Sequence, residues 1–162
     1  MAITIKSERD IEKMKAAGHV VSVCHQRIEA AVAPGVTTGE LDAIVVDTLR
    51  EHGAIASFLG YNGFPASICA SVNEEIVHGF PGSRVLKDGD IIAVDIGAIV
   101  NGWHGDSAWT YPIGQITADA ERLLQDTEQA LSVGVAEARP GNRLGAIGYA
   151  IEQYAGPRGG RI

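Results

Sequence analysis

Ile91-Ile92-Ala93-Val94-Asp95-Ile96-Gly97-Ala98-Ile99-Val100-Asn101-Gly102-Trp103-His104-Gly105-Asp106 is the stretch that decides the fold. Asn-Gly between two apolar runs is the strongest short-range signal for a two-residue hairpin loop of type I′, because both central residues tolerate positive φ. Such a loop pairs Val100 with Trp103, Gly97 with Asp106 and Asp95 with Ala108. Side chains alternate along a strand with period two, so Asp95 and Asp106 point to one face of the sheet. As diagonal neighbours they stand roughly 7–8 Å apart at the backbone and closer at their carboxylates. The glycine opposite Asp106 is expected to leave open space beside it. Two carboxylates aimed into one space repel unless cations neutralise them, and a two-metal site needs ions only about 3.5–4 Å apart. The plainer alternative makes Asp106 a loop residue and Asp95 a strand-end residue. Against it, aspartate is depleted in strands, and Asp95 follows four apolar residues that read as a buried strand. A buried carboxylate without a partner is costly, and a metal supplies the partner.

Composition sets the frame. The 162 residues fit one domain, and 46% hydrophobic with 20% charged residues describes an ordinary globular chain. A net charge of −7 with no compensating basic stripe argues against nucleic-acid binding. Met1 to Asp10 carries no long apolar segment, so neither a signal peptide nor a membrane anchor is expected there. Cys24 and Cys69 lie in apolar contexts without a pairing signature, which reads as buried reduced thiols in a cytoplasmic protein.

Working outward from the hairpin, Ser7 with Asp10 forms a helix start, and Ile11, Met14, Val21, Cys24 and Ile28 recur at helical spacing until Pro34-Gly35. Thr37 and Glu40 form a capping box for a second helix, with Leu41, Ile44, Val45 and Leu49 on one face. Short strands punctuated by Gly and Pro occupy residues 54 to 112. Helical periodicity returns from Thr117 to Ala138, stops at Pro140-Gly141, and resumes through Leu144, Ile147 and Ile151. This last stretch repeats the first at a displacement of 106 residues, pairing Gly39 with Gly145, Leu41 with Ile147 and Val45 with Ile151. On that repeat, a counterpart of the Asp95 region would fall near position 201, so the second unit has helices without a sheet. Gly156-Pro157-Arg158-Gly159-Gly160-Arg161-Ile162 reads as a flexible tail or as a break inside a longer protein. The expected division is a domain over 1–155 followed by a Gly/Arg-rich tail over 156–162.

Four motifs in order carry a family resemblance: Gly60-Tyr61-Asn62-Gly63-Phe64-Pro65, Ser71-Val72-Asn73-Glu74-Glu75-Ile76-Val77-His78-Gly79, Asp90 to Gly97, and His104-Gly105-Asp106. From about Ser7 to Ala155 the chain resembles the type I methionine aminopeptidases, metallopeptidases of the pseudo-symmetric pita-bread fold. The resemblance implies an α+β, creatinase/aminopeptidase-like architecture, with the first αβ half complete and the second represented only by its helices. The lack of an extra N-terminal domain points to the methionine enzymes rather than their prolidase and creatinase relatives. It further implies removal of N-terminal methionine from nascent polypeptides, possible encounter at the ribosome, and two divalent ions (Co, Mn, Fe or Zn) acting as Lewis acids. Asp95 would chelate one ion and Asp106 bridge both. His78 matches the histidine that contacts substrate and stabilises the tetrahedral intermediate, although a lone strand-end histidine is otherwise a surface residue. Tyr61, Phe64 and Cys69 match positions lining the methionine pocket, a role that overlaps with core packing. Phe58 stands where close relatives often carry something smaller. His104 shares the face of Asp106 but is not a family ligand, so a supporting role beside the site is expected.

One departure limits that reading. The family completes its site with one histidine and two glutamates from the second half, and no matching motif occurs here; Glu121, Glu128, Glu137 and Glu152 lie in other contexts. Two carboxylates do not fill two metal shells. Three expectations compete: a dinuclear aminopeptidase, a non-catalytic pita-bread relative that binds peptides or partners, and a truncated product with no independent function; self-association through the uncovered half is a separate expectation.

Overall fold

A computed structural model of the chain describes residues 4–160. It divides into two compact units, Met1–Ile116 and Thr117–Ile162. Residues 1–3 of the N-terminal segment read above, and residues 161–162 of the Gly/Arg stretch, lie outside the described residues.

In the first unit, helix α1 spans Glu8–Ala31 and α2 spans Thr38–Glu51. Each opens on a reciprocal capping box. Asp10 accepts from the Ser7 amide at 3.1 Å while Ser7 Oγ accepts from the Asp10 amide at 3.3 Å. Glu40 accepts from the Thr37 amide at 2.7 Å while Thr37 Oγ1 accepts from the Glu40 amide at 3.2 Å. Together these satisfy donors that a helix start otherwise leaves unpaired. The apolar stripe of α1 begins later than its periodicity suggests, since Ile11 and Met14 are 44% and 40% exposed. There α1 runs beside the hairpin tip, with Lys13 over the Trp103 ring. Burial begins at Ala17 and continues through Val20, Val21, Cys24 and Ile28.

Strands β1 (Ile55–Ala56), β2 (Ile68–Val72), β3 (Ile91–Val100) and β4 (Trp103–Pro112) form one antiparallel sheet. β4 pairs along the whole of β3, and β1 and β2 follow one another along the opposite edge of β3. The β3–β4 register pairs Val100 with Trp103, Gly97 with Asp106 and Asp95 with Ala108, as the Asn-Gly turn predicts. Asn101 and Gly102 have φ of 50° and 81°, the type I′ signature. Ile92, Val94, Ile96 and Ala98 of β3 enter the core with Ile68, Ala70 and Val72 of β2, where they meet α1 and α2.

Outside the helices and the sheet, a second set of backbone bonds braces this unit. Gly35 donates to the Leu86 carbonyl, Leu86 to that of Val36 and Gly39 to that of Gly82, each at 2.8 Å. Thr38 Oγ1 accepts from the Gly82 amide at 2.9 Å. The link between the two helices is thereby joined to the segment leading into β3.

The second unit is a helix pair, α3 (Ala118–Glu137) and α4 (Leu144–Ala155), with no strand among the described residues. Its buried α3 positions, Ala130 and Gly134, correspond at the displacement of 106 to the buried Cys24 and Ile28 of α1. A Cβ on Gly134 would stand 2.7 Å from the Ile151 side chain, so the missing methyl is what lets α4 close. Structure thus reinforces a repeat that the letters show only weakly. Gly156–Arg158 forms a 3-10 turn, Arg158 stacks 3.8 Å over the Tyr154 ring and donates to the Tyr154 carbonyl at 2.8 Å. A cation–π contact and this hydrogen bond join Arg158 to the end of α4.

One contact between α1 and the sheet is close enough to test. A Cβ on Gly105 would fall 2.6 Å from the Ala17 carbonyl carbon and the Gly18 amide, and backbone cannot step aside. Gly105→Ala is expected to destabilise by about 1–3 kcal/mol in urea unfolding, the scale of overpacking. Gly18→Ala meets nothing within 4 Å and is expected to be neutral or stabilising, since alanine favours the helix. Equal effects from the two would show that the close approach is not a constraint.

Candidate metal centre

Since the core takes Ile92, Val94, Ile96 and Ala98, the intervening residues of β3 must face the other side. Asp95 and Gly97 therefore share that side with Asp106 and His104 of β4 and with Cys69 and Ser71 of β2. Asp95 lies directly across from Cys69 on one flank, and diagonally from Asp106 on the other.

The electrostatics of this face are one-sided. Burial, then the charge of Asp106, raise the Asp95 carboxyl above its ordinary value, and the charge of His78 pulls in the opposite direction. Asp95 Oδ1 is buried without a hydrogen-bond partner among the described residues. Such an atom forfeits its hydration and receives nothing in return. Cys69 is pushed up to about 11 by burial and then by the charges of Asp95 and Asp106, so its thiol is neutral and behaves as a small apolar group. An unpaired carboxylate oxygen beside a second carboxylate is an arrangement a divalent cation relieves. Asp95 and Asp106 fit that group. No cluster of three or more His, Cys, Asp or Glu in metal-holding geometry occurs among the described residues.

The space beside Asp106 is not open, contrary to expectation. A Cβ on Gly97 would lie 2.7 Å from Ser57 Cβ and 2.8 Å from Phe58 Cε1, so these side chains fill what the glycine vacates. His104 Nδ1 lies 3.0 Å from Ser57 Oγ, which ties the same plug to β4. Phe58 packs edge-on to Phe64 at 6.4 Å between ring centroids, and Phe64 to Phe80 at 5.2 Å. Phe64 thus joins the site through Phe58. Tyr61 sits in a 3-10 turn and is 70% exposed, with no side-chain hydrogen bond to the site. Neither Ser57 nor Phe58 belongs to a periodic pattern, so local sequence carries no signal for their position over β3.

His78 is exposed and has φ of 60°. The other non-glycine residues with positive φ among the described residues are all asparagine, which with histidine and aspartate is among the side chains that most often enter this sparsely populated region. Its neighbours hold it there. Ala70 donates to the Gly79 carbonyl at 2.9 Å, and Gly79 donates to Ser71 Oγ at 3.1 Å. Glu75 accepts from the Val72 amide at 2.9 Å and pairs with Arg84 at 2.7 Å. The loop is thereby clamped to β2, the strand that carries Cys69.

An antiparallel sheet that presents two carboxylates from adjacent strands on one face and packs two helices on the other defines an α+β protein with a candidate metal site. Residues 12–161 match the model of metallopeptidase family M24, and the chain belongs to that family. Methionine aminopeptidase 1 of Bacillus subtilis (strain 168) is 54% identical over 152 residues, 94% of this chain and 61% of that protein. The crystal structure of methionine aminopeptidase from Rickettsia prowazekii superposes with a TM-score of 0.95 at 40% identity, over 97% of this chain and 63% of that one. Xaa-Pro dipeptidase from Bacillus anthracis shares the fold alone, with a TM-score of 0.84 at 21% identity. The fold is the pita-bread fold, and the chain spans about three fifths of the length of the methionine aminopeptidases it matches.

The unpaired carboxylate has a measurable signature. With its carboxyl raised in the folded state, Asp95 binds more protons folded than unfolded between its ordinary and its raised value. Stability is therefore lost as pH rises through that window, and the cost is complete above the raised value. Asp95→Asn is expected to raise the melting temperature of metal-free protein by a few degrees at pH 7, with the gain shrinking toward acid. Millimolar Mn²⁺ should stabilise the native protein and not the variant. An Asp95→Asn protein no more stable than the parent at pH 7 would refute the unpaired-charge reading.

Proposed function

We propose that this site serves metal-dependent hydrolysis that releases N-terminal methionine from polypeptide chains. The observation that carries the reading is the buried, partnerless Asp95 Oδ1 beside Asp106. Asp95 and Asp106 would hold divalent ions from the set Co, Mn, Fe and Zn. When bound, such ions supply Lewis-acid polarisation of a carbonyl and acidify water. The protein's own residues do the remaining work. His78, fixed by the Gly79 and Glu75 clamps, contacts the substrate carbonyl and steadies the charge that develops on it. The neutral thiol of Cys69, the ring of Phe64 and the exposed ring of Tyr61 receive the methionine side chain. Phe58, seated over Gly97, narrows that space. Cognate substrates are the N-termini of nascent chains, met in the cytoplasm and at the ribosome. Exposed Leu123, Leu131, Val135 and Leu144 give the second unit an apolar surface suited to self-association.

The absence of a third converging ligand among the described residues favours, as a second reading, a binding role without turnover. The two are separable. On its own the chain is expected to bind Mn²⁺ or Co²⁺ only weakly by calorimetry, with no submicromolar site, because two carboxylates offer too few donors. It should also release no appreciable methionine from a Met-Ala-Ser peptide. Replacing the matching 152 residues of the Bacillus subtilis relative with those of this chain should give a metal-dependent aminopeptidase that Asp106→Asn abolishes. A folded chimera without activity would overturn the hydrolytic reading. A tight stoichiometric pair of ions on the chain alone would overturn the expectation of weak binding.

A further inference from the structure

Asp106 lies between two points at which β4 is held to α1. One residue before it, Gly105 is pressed onto the helix backbone, where a Cβ would stand 2.6 Å from the Ala17 carbonyl carbon and the Gly18 amide. One residue after it, the Ser107 carbonyl meets His25 of α1, whose Nε2 is 3.0 Å away. Strand alternation puts Gly105, Ser107 and the buried Tyr111 on the α1 side of β4 and Asp106 on the other.

The hydrogen bonds of His25 fix its tautomer. A carbonyl can only accept, so Nε2 carries the proton and donates it to Ser107. Nδ1 of the neutral ring is then an acceptor. Tyr111 Oη donates to it at 2.8 Å, with the His25 carbonyl at 3.2 Å as a longer alternative. Burial lowers the pKa of His25 and raises that of Tyr111, so both are neutral near pH 7. The chain of donors therefore runs one way, from Tyr111 of β4 to His25 of α1 and back to Ser107 of β4. The first bond alone would tie helix to sheet. The second ends on the main chain beside Asp106, and so bears on where that part of the strand sits.

That position matters to the acidic face. The charge of Asp106 is felt at Asp95 and at Cys69, so bringing the two carboxylates together is opposed until a cation lies between them. Ligands that bind an ion well are held within about 0.5 Å of their working geometry by the groups behind them. Aspartate is a short side chain, and its reach follows from its backbone.

We propose that His25 and Tyr111 are positioning residues for Asp106: through the Ser107 carbonyl they fix β4 where the Asp106 carboxylate can share a divalent cation with Asp95. The inference rests on the reading of these two aspartates as metal ligands and adds to it a determinant on the far side of the sheet. Neither His25 nor Tyr111 touches the ion.

NMR on the full chain tests this, with Mn²⁺ as the probe and no turnover required. Mn²⁺ is expected to broaden the amide signals of Asp95 and Asp106 saturably, and Asp106→Asn to abolish the effect. His25→Leu and Tyr111→Phe should each weaken the affinity by about threefold or more, short of the roughly 10–100-fold typical of groups that touch a metal ligand. The double variant should be no weaker than His25→Leu, because the two residues act as one chain. His25→Gln places an Nε2–H at the same bond distance from Cα and should retain the native affinity. Val45→Ala, at a buried position of α2, should lower the melting temperature and leave the affinity unchanged, which separates placement from stability. In metal-free native protein the ring nitrogen shifts of His25 should show a protonated Nε2 and a bare Nδ1. Native affinity in His25→Leu or Tyr111→Phe, a weakened His25→Gln, an equal loss in Val45→Ala, or the opposite tautomer would each overturn the proposal. Broadening that is absent from the native chain, or that survives Asp106→Asn, would overturn the metal reading and the proposal with it.

Discussion

The pleat of β3 is the constraint on which both faces of the sheet depend. Ile92, Val94, Ile96 and Ala98 must enter the core against α1 and α2, and alternation leaves Asp95 and Gly97 no choice of side. A slip of one residue would drive Asp95 among those aliphatic groups and expel them to water, so the apolar set enforces the register that the Asn101–Gly102 turn begins. The acidic site is thus a by-product of core packing on one strand. Its partners follow by the same rule, Cys69 from β2 and Asp106 from β4.

Legibility in the sequence followed the range of the interaction. Both capping boxes and the hairpin register are local, and they were readable letter by letter from Ser7/Asp10, Thr37/Glu40 and Asn101-Gly102. What lay beyond reach involved contact between distant segments. Ser57 and Phe58 come from a connection with no periodicity, yet they fill the space at Gly97 that strand geometry alone leaves open. Helical spacing marked Ile11 and Met14 as core, but where α1 passes the hairpin tip is a tertiary fact. The left-handed backbone of His78 depends on clamps from Ala70, Ser71 and Val72, and no motif encodes a dihedral angle.

The chain belongs to metallopeptidase family M24, and its acidic face suits a cation. A carboxylate held apart from any donor is a poor element of a stable fold and a good one for a cation. The surrounding choices agree with that priority. Cys69 is kept neutral beside two acids, and His78 holds a left-handed backbone conformation. The orphaned Asp95 oxygen lies on one face of the sheet, while the other face packs without an orphaned side-chain polar atom among the described residues.

The brace between the helix link and the segment before β3 bears on how the protein assembles. Thr38 and Gly82 are 44 residues apart, and the loop bearing His78 lies in the interval they enclose. Loop closure over such a separation spends chain entropy before any contact repays it. The starts of α1 and α2 are set by local capping signals, whereas the brace needs Leu86 and Gly82 brought back to the helix link. The loop bearing His78 can be closed into its braced position only once the segment through Leu86 is available to pair with the helix link.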